Sequence, residues 1–144
     1  MRLVLDTNVV VAGLLWHGLP RQLLEYAIEE VVTLYSSQIL LDELVHTLQY
    51  PKFAKRLTAF NTTAHALNAH YAALVKLIIP AAIPPTVEHD SDDDAILACA
   101  LAAQADLIVS GDADLLNLKQ YHRIPVVTTA KVIEDIAALH HDRA

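Results

Sequence analysis

Four acidic motifs carry most of the chemistry this chain has to offer: Leu5-Asp6-Thr7-Asn8, Leu41-Asp42-Glu43-Leu44, Asp92-Asp93-Asp94-Ala95-Ile96-Leu97-Ala98 and Val109-Ser110-Gly111-Asp112-Ala113-Asp114. Each stands beside an apolar run that reads as a strand or a helix. Carboxylates spread along a chain in this way suit a divalent-metal site assembled by folding. Oxygen donors without sulfur select hard cations such as Mg²⁺ or Mn²⁺. Such a site fits phosphodiester hydrolysis, where a cation activates water and neutralises phosphate charge. The histidines offer no rival set: His65 and His70 are isolated from each other, and His140 and His141 are terminal. With Cys99 as the single thiol, no structural zinc motif appears. Cys99, inside an Ala/Leu-rich helix, reads as a small core residue. Three glycines leave no phosphate-cradling loop.

The acids must be positioned by the elements around them. Residues 2–5 read as a short buried strand, and 8–16 as the start of a helix broken at Gly18. Pro20 restarts a helix at its first turn, with Leu23, Leu24, Ala27, Ile28 and Val31 in helical period. A second strand falls at 32–35, and Ser36 or Ser37 caps the next helix. There Leu40, Leu41, Leu44, Val45 and Leu48 make one stripe, Glu43 sits off it, and Asp42 is its exposed neighbour. Pro51 ends that helix. Helices are predicted over 52–60 and 63–75, a third strand over 76–79, and a proline-marked loop over 80–85. An almost wholly apolar helix spans 93–105, followed by a strand at 107–109. A short helix or turn occupies 114–118 and a fifth strand 125–127. Thr128 or Thr129 caps a last helix reaching 139. Short apolar strands alternating with helices imply a parallel sheet covered on both faces. In such sheets ligands bind beyond the carboxyl ends of the strands. Asp6 and Asp112 follow strands directly, so fold logic brings Asp6, Glu43, Asp94 and Asp112 toward one edge.

The 144 residues fit one domain, taken here as 1–144. Hydrophobic residues at 54% with only 6% aromatic predict an aliphatic, Ala-rich core. Ten basic against seventeen acidic residues give a formal charge of −7, which repels nucleic acid at long range. A nucleic-acid substrate therefore needs local cations, and a basic protein partner is favoured. One cysteine fits a reducing cytoplasm. Asp6 and Asn8 interrupt the apolar N-terminal run, so it does not read as a secretion signal. No apolar run is long enough to span a bilayer.

At these motifs the chain resembles the PIN domain, the metal-dependent ribonuclease module of many type II toxins, over essentially its whole length. The resemblance is carried most strongly by Leu-Asp-Thr-Asn-Val at 5–9 and by the stretch from Asp90 to Leu116; Leu-Asp-Glu-Leu at 41–44 matches more weakly. It implies that Asp6, Glu43, Asp94 and Asp112 are the catalytic, metal-holding acids, with Asp114 as an additional acid and Ser110 at a small-hydroxyl position. It also implies a three-layer α/β/α sandwich around a mainly parallel sheet of about five strands. The further implications are Mg²⁺ or Mn²⁺, cleavage of single-stranded RNA, dimerisation and inhibition by an antitoxin. Composition and resemblance together suggest a homodimer receiving a basic antitoxin segment, with the helices around 23–31 and 57–75 as surfaces.

Each motif has a second reading. Asp6 suits an N-cap for the helix beginning near Asn8; as a ligand at a buried strand end, its desolvation is offset by a cation. Thr7 and Asn8 read as turn and capping groups. An off-stripe Glu43 taken alone is a solvated surface residue. Ser91-Asp92-Asp93-Asp94 resembles a capping box whose acids favour the helix dipole. Four acids within 90–94 exceed what capping needs, and Asp94 is favoured as ligand, with Asp92 and Asp93 solvated or further out. Gly111-Asp112 is also ordinary turn chemistry. Lys52, Lys55 and Arg56, interleaved with Tyr50 and Phe53, suit RNA contact or simply a solvated amphipathic helix; Arg21, Lys119 and Arg123 are further cations. Two other functions stand beside the nuclease. A haloacid-dehalogenase-like phosphatase uses Asp6 as nucleophile but wants a second Asp at position 8, where this chain has Asn. A binding module with little turnover needs only that the acids fail to converge.

Overall fold

Strand β1 (Arg2–Leu5) is the centre of the molecule because its Leu3, Val4 and Leu5 are all buried, on alternating faces. In the structure, a computed structural model describing residues 1–86 and 91–143, Leu3 and Leu5 enter one apolar cluster and Val4 the other. A strand buried on both faces needs helices on both sides, and the chain supplies them.

β1 is followed by α1 (Thr7–Leu15), α2 (Leu19–Ile28), β2 (Thr33–Ser36) and α3 (Gln38–Leu48). A 3₁₀ turn (Pro51–Phe53) leads into α4 (Ala54–Ala59), α5 (Ala64–Leu74) and β3 (Lys76–Leu77). Then come α6 (Ser91–Ala103), β4 (Leu107–Val109), α7 (Ala113–Leu118), β5 (Gln120–Tyr121), β6 (Ile124–Val127) and α8 (Thr129–Arg143). The sheet order is β3-β2-β1-β4-β6-β5. All pairings are parallel except β5 with β6. The first cluster joins Val9, Val10, Leu23, Leu41, Leu44, Tyr71 and Ile136, from α1, α2, α3, α5 and α8. The second joins Ile96, Leu97, Ala100 and Leu115, from α6 and α7. The architecture is the expected α/β/α sandwich with a mainly parallel sheet.

The sheet has six strands where the sequence suggests about five. The extra one, β5, is two residues long and pairs with β6 through the turn at His122 and Arg123. Both turn residues have positive φ, 47° and 68°, the geometry of a tight hairpin turn, without the glycine that usually signals it. The helix expected over 52–60 is a 3₁₀ turn joined to a six-residue α-helix. The capping box expected over Ser91 to Asp94 lies partly outside the described residues, and Asp90 wholly so. Ser37 caps α3, its hydroxyl accepting the Leu40 amide at 3.4 Å.

Two packing details fix the helices that frame the carboxyl ends of the strands. Gly13 lets α1 and α2 meet: a Cβ there would stand 2.8 Å from Leu24 Cδ1 and 2.9 Å from the Pro20 carbonyl oxygen. The Arg2 guanidinium donates from Nε and Nη2 to the Ala103 carbonyl, at 2.9 and 2.6 Å, tying the end of α6 to the start of β1. Among the described residues, no helix is long and apolar enough to cross a membrane.

Candidate active site

The strand order reverses direction between β1 and β4. From β1 the chain builds outward through β2 and β3; from β4 it builds the other way. A crevice forms outside the carboxyl ends of two such strands. The register Leu5↔Val109 sets Asp6 beside Ser110 at that point. The Asp6 amide donates to the Val109 carbonyl at 2.9 Å, so its position is fixed by the ladder itself.

Asp6 occupies the N-cap position of α1, yet its side chain makes no capping hydrogen bond. Its carboxylate, only 7% exposed, accepts from the Ser110 hydroxyl at 2.8 Å. That hydroxyl, wholly buried, also accepts the Asp112 amide at 2.9 Å. One oxygen atom thus orients Asp6 and folds the 110–112 turn. Capping does account for part of Asp112, whose carboxylate accepts the Asp114 amide at 3.3 Å at the start of α7.

A cleft of about 560 Å³ opens over these groups. Asp6, Thr7 and Asn8 line it from the end of β1 and the start of α1, and Gly111 and Asp112 from the turn after β4. Helix α3 supplies Glu43 and Thr47, one turn apart on the same side, and the chain beyond it Tyr50 and Lys52. Glu43 is half-buried at the margin of the apolar stripe, while Asp42 is exposed and bonded to Gln38.

The fourth acid is one residue away from the expected place. Asp94 does not line this cleft. Its two carboxylate oxygens accept the Thr86 amide at 3.2 and 3.1 Å, and it borders a separate hollow with Ser37, Ile39 and residues 80–83. Asp93 faces the cleft and is 4% exposed. The cause is the turn of the helix: neighbouring positions stand about 100° apart around α6, so Asp93 meets the cleft while Asp94 turns toward Thr86 and residues 80–83. Carboxylate oxygens of Asp93, Asp112 and Asp114 lie within 4.8 Å of one another.

These acids suit a hard cation. They offer oxygen alone, and no cysteine or histidine among the described residues lines the cleft. A carboxylate as buried as Asp93, held close to two others, is costly unless positive charge compensates it. Cys99 sits elsewhere, on the core side of α6, where burial pushes its thiol up to about 12.

The fold is shared with VapBC2 from Rickettsia felis, solved bound to a DNA fragment from its promoter: TM-score 0.60, 17% identity, 89% of this chain and 98% of that one. An uncharacterized protein of Methanocaldococcus jannaschii is 30% identical over 124 residues, covering 85% of this chain and 78% of that protein. Residues 2–114 match the PIN domain, a span that takes in all four acidic motifs and displaces the phosphatase reading; the chain belongs to the PIN-domain family.

Proposed function

We propose that this chain is a metal-dependent endoribonuclease that cuts single-stranded RNA and forms the toxin component of a cytoplasmic toxin–antitoxin pair. The observation that carries the reading is the convergence of Asp6, Glu43, Asp93 and Asp112 on one cleft at the switch point of the sheet. Family membership supports it, because PIN domains are typically metal-dependent nucleases. Asp6, Glu43, Asp93 and Asp112, with Asp114 beside them, would hold Mg²⁺ or Mn²⁺; Asp93 takes the role first assigned to Asp94. The bound cation supplies a more acidic water and neutralises charge on the scissile phosphate. Ser110 holds Asp6 in place through its hydroxyl. Lys52, at the margin of the cleft, offers a positive charge to the RNA backbone that the chain's overall charge would otherwise repel. An antitoxin and a homodimer belong to the same reading; the fold shared with the Rickettsia felis assembly supports a protein partner.

The test is cleavage of a panel of defined single-stranded RNAs by purified chain, with Mg²⁺ or Mn²⁺ and with chelator, beside folded Asp6→Asn. Metal-dependent cleavage lost in Asp6→Asn supports the reading. Equal rates in the two proteins sink it.

A further inference from the structure

A row of aromatic and cationic side chains leads away from the acidic cleft. It starts with Tyr50 and Lys52 at the margin of the cleft. The Lys52 ammonium lies 5.1 Å from the centre of the Phe53 ring. Phe53 packs edge-on against Trp16, with ring centres 5.8 Å apart. The Arg56 guanidinium lies over both Trp16 and Phe60, at 5.6 and 4.4 Å. Tyr50, Trp16 and Phe60 are 41%, 41% and 43% exposed. Arg56 is also locked from below, donating from Nε to the Leu15 carbonyl at 2.7 Å. Arg56 is therefore tied to the end of α1.

We propose that this row is the track for the single-stranded substrate, with bases stacking on Tyr50 and Trp16 and Lys52 holding a phosphate between them. The inference rests on the nuclease reading and adds where the strand lies. Three observations favour it over a protein segment. The row is continuous with the cleft, so a strand lying along it ends at the acids. It alternates flat rings with cations, the pattern that single strands need: ring faces for bases and charge for backbone. And it sets local positive groups on a chain of net −7, where approach of a polyanion otherwise fails. A duplex keeps its bases stacked inside and cannot use such rings.

The experiment measures binding of a short fluorescent single-stranded RNA of mixed sequence, and of the same RNA as a duplex. It uses full-length Asp6→Asn with Mg²⁺ present, so that no strand is cut. Adding Trp16→Ala or Tyr50→Ala should weaken single-strand binding about ten- to a hundredfold. Trp16→Phe and Tyr50→Phe should restore most of it, which separates ring loss from unfolding. Lys52→Gln should reduce the slope of log affinity against log salt by about 0.7, one phosphate contact on a single strand. Unchanged affinity in all the folded platform variants overturns the track and leaves this surface to a protein segment. Equal affinity for duplex, indifferent to Trp16, overturns the stacking role. Absence of single-strand binding in the Asp6→Asn background itself overturns both the track and the nuclease reading beneath it.

Discussion

Asp93 and Asp94 differ by one position in a helix, and exchanging their roles separates the structure from the sequence pattern. The Asp93 and Asp112 carboxylates have oxygens within 4.8 Å. At that distance two unit charges repel by about 0.9 kcal/mol in water and about 3.5 kcal/mol at an effective dielectric near 20. That repulsion is what a cation relieves. Asp93→Asn keeps the shape, removes one charge and one strong oxygen donor, and should raise the metal dissociation constant roughly ten- to a hundredfold, as energies of about 1.4–2.7 kcal/mol do. Wild-type protein at a hundred times its dissociation constant gains about 2.7 kcal/mol from the metal. At the same concentration the variant should gain only about 0.4–1.4 kcal/mol. With about 2–4 °C per kcal/mol for a chain near this size, the melting-temperature rise falls from roughly 5–11 °C to about 1–6 °C. Asp94→Asn instead weakens the acceptor for the Thr86 amide, costing up to about 1.5 kcal/mol, and leaves the metal response intact. Mn²⁺ titrations followed by thermal melting, with RNA cleavage in parallel, read both effects. A metal response lost in Asp94→Asn and retained in Asp93→Asn refutes the placement.

Ser110→Ala removes a hydrogen bond to the Asp6 carboxylate and another from the Asp112 amide, and should cost about 2–4 kcal/mol in urea denaturation; a loss below about 0.5 kcal/mol would contradict the shared hydroxyl. Gly13→Ala should destabilise by about 1–3 kcal/mol, despite the better helix propensity of alanine, since its Cβ meets the Pro20 carbonyl at 2.9 Å. Gly111→Ala, with nothing within 4 Å, should fold normally; equal melting of the two variants argues against the close approach of α1 and α2. Burial holds the proton on Cys99 up to about 12, against an ordinary 9.0, and raises Tyr71 through burial and then the Cys99 charge. Above about pH 9 the unfolded chain gives up protons that the folded one retains, so this contribution to stability is complete below pH 9 and declines toward 12. Alkylation of native Cys99 at pH 9 as fast as a free thiol would show that the group is not enclosed.

The sequence carried the sheet well because its central strands are short apolar runs, with Asp6 directly after β1 and Asp112 in the turn after β4. Asp6 and Asp112 were legible for that reason: a strand end fixes where Asp6 stands, and a short turn after β4 keeps Asp112 near the same edge. Glu43 was legible only as part of the set, since its place at the stripe margin looks like surface. Asp93 was not legible. Helix α6 is apolar nearly all round after its acidic start, so no contrast between faces marks which acid points inward. Ile96, Leu97, Ala98 and Ala100 are all buried, so the helix's own pattern does not choose between the acids; the packing of α6 against β1 and α3 does. The joining of Trp16 to Phe53 and Arg56 was hidden too, because it depends on how α1 and α4 meet and not on local spacing.

The hydroxyl bond between Ser110 and Asp6 spans 104 positions of the chain. During synthesis the first of these residues therefore waits for the last. At about 5–20 residues per second, translation leaves an interval of roughly 5–20 s between them. Through that interval β1 has only β2 to pair with, itself edged by β3, and the turn that carries Asp112 does not yet exist. A growing chain has no finished cleft while it is still close to the message that encodes it; the cleft closes only after β4 inserts beside β1. The order of strands thus keeps the acidic cleft unassembled until most of the chain has been made.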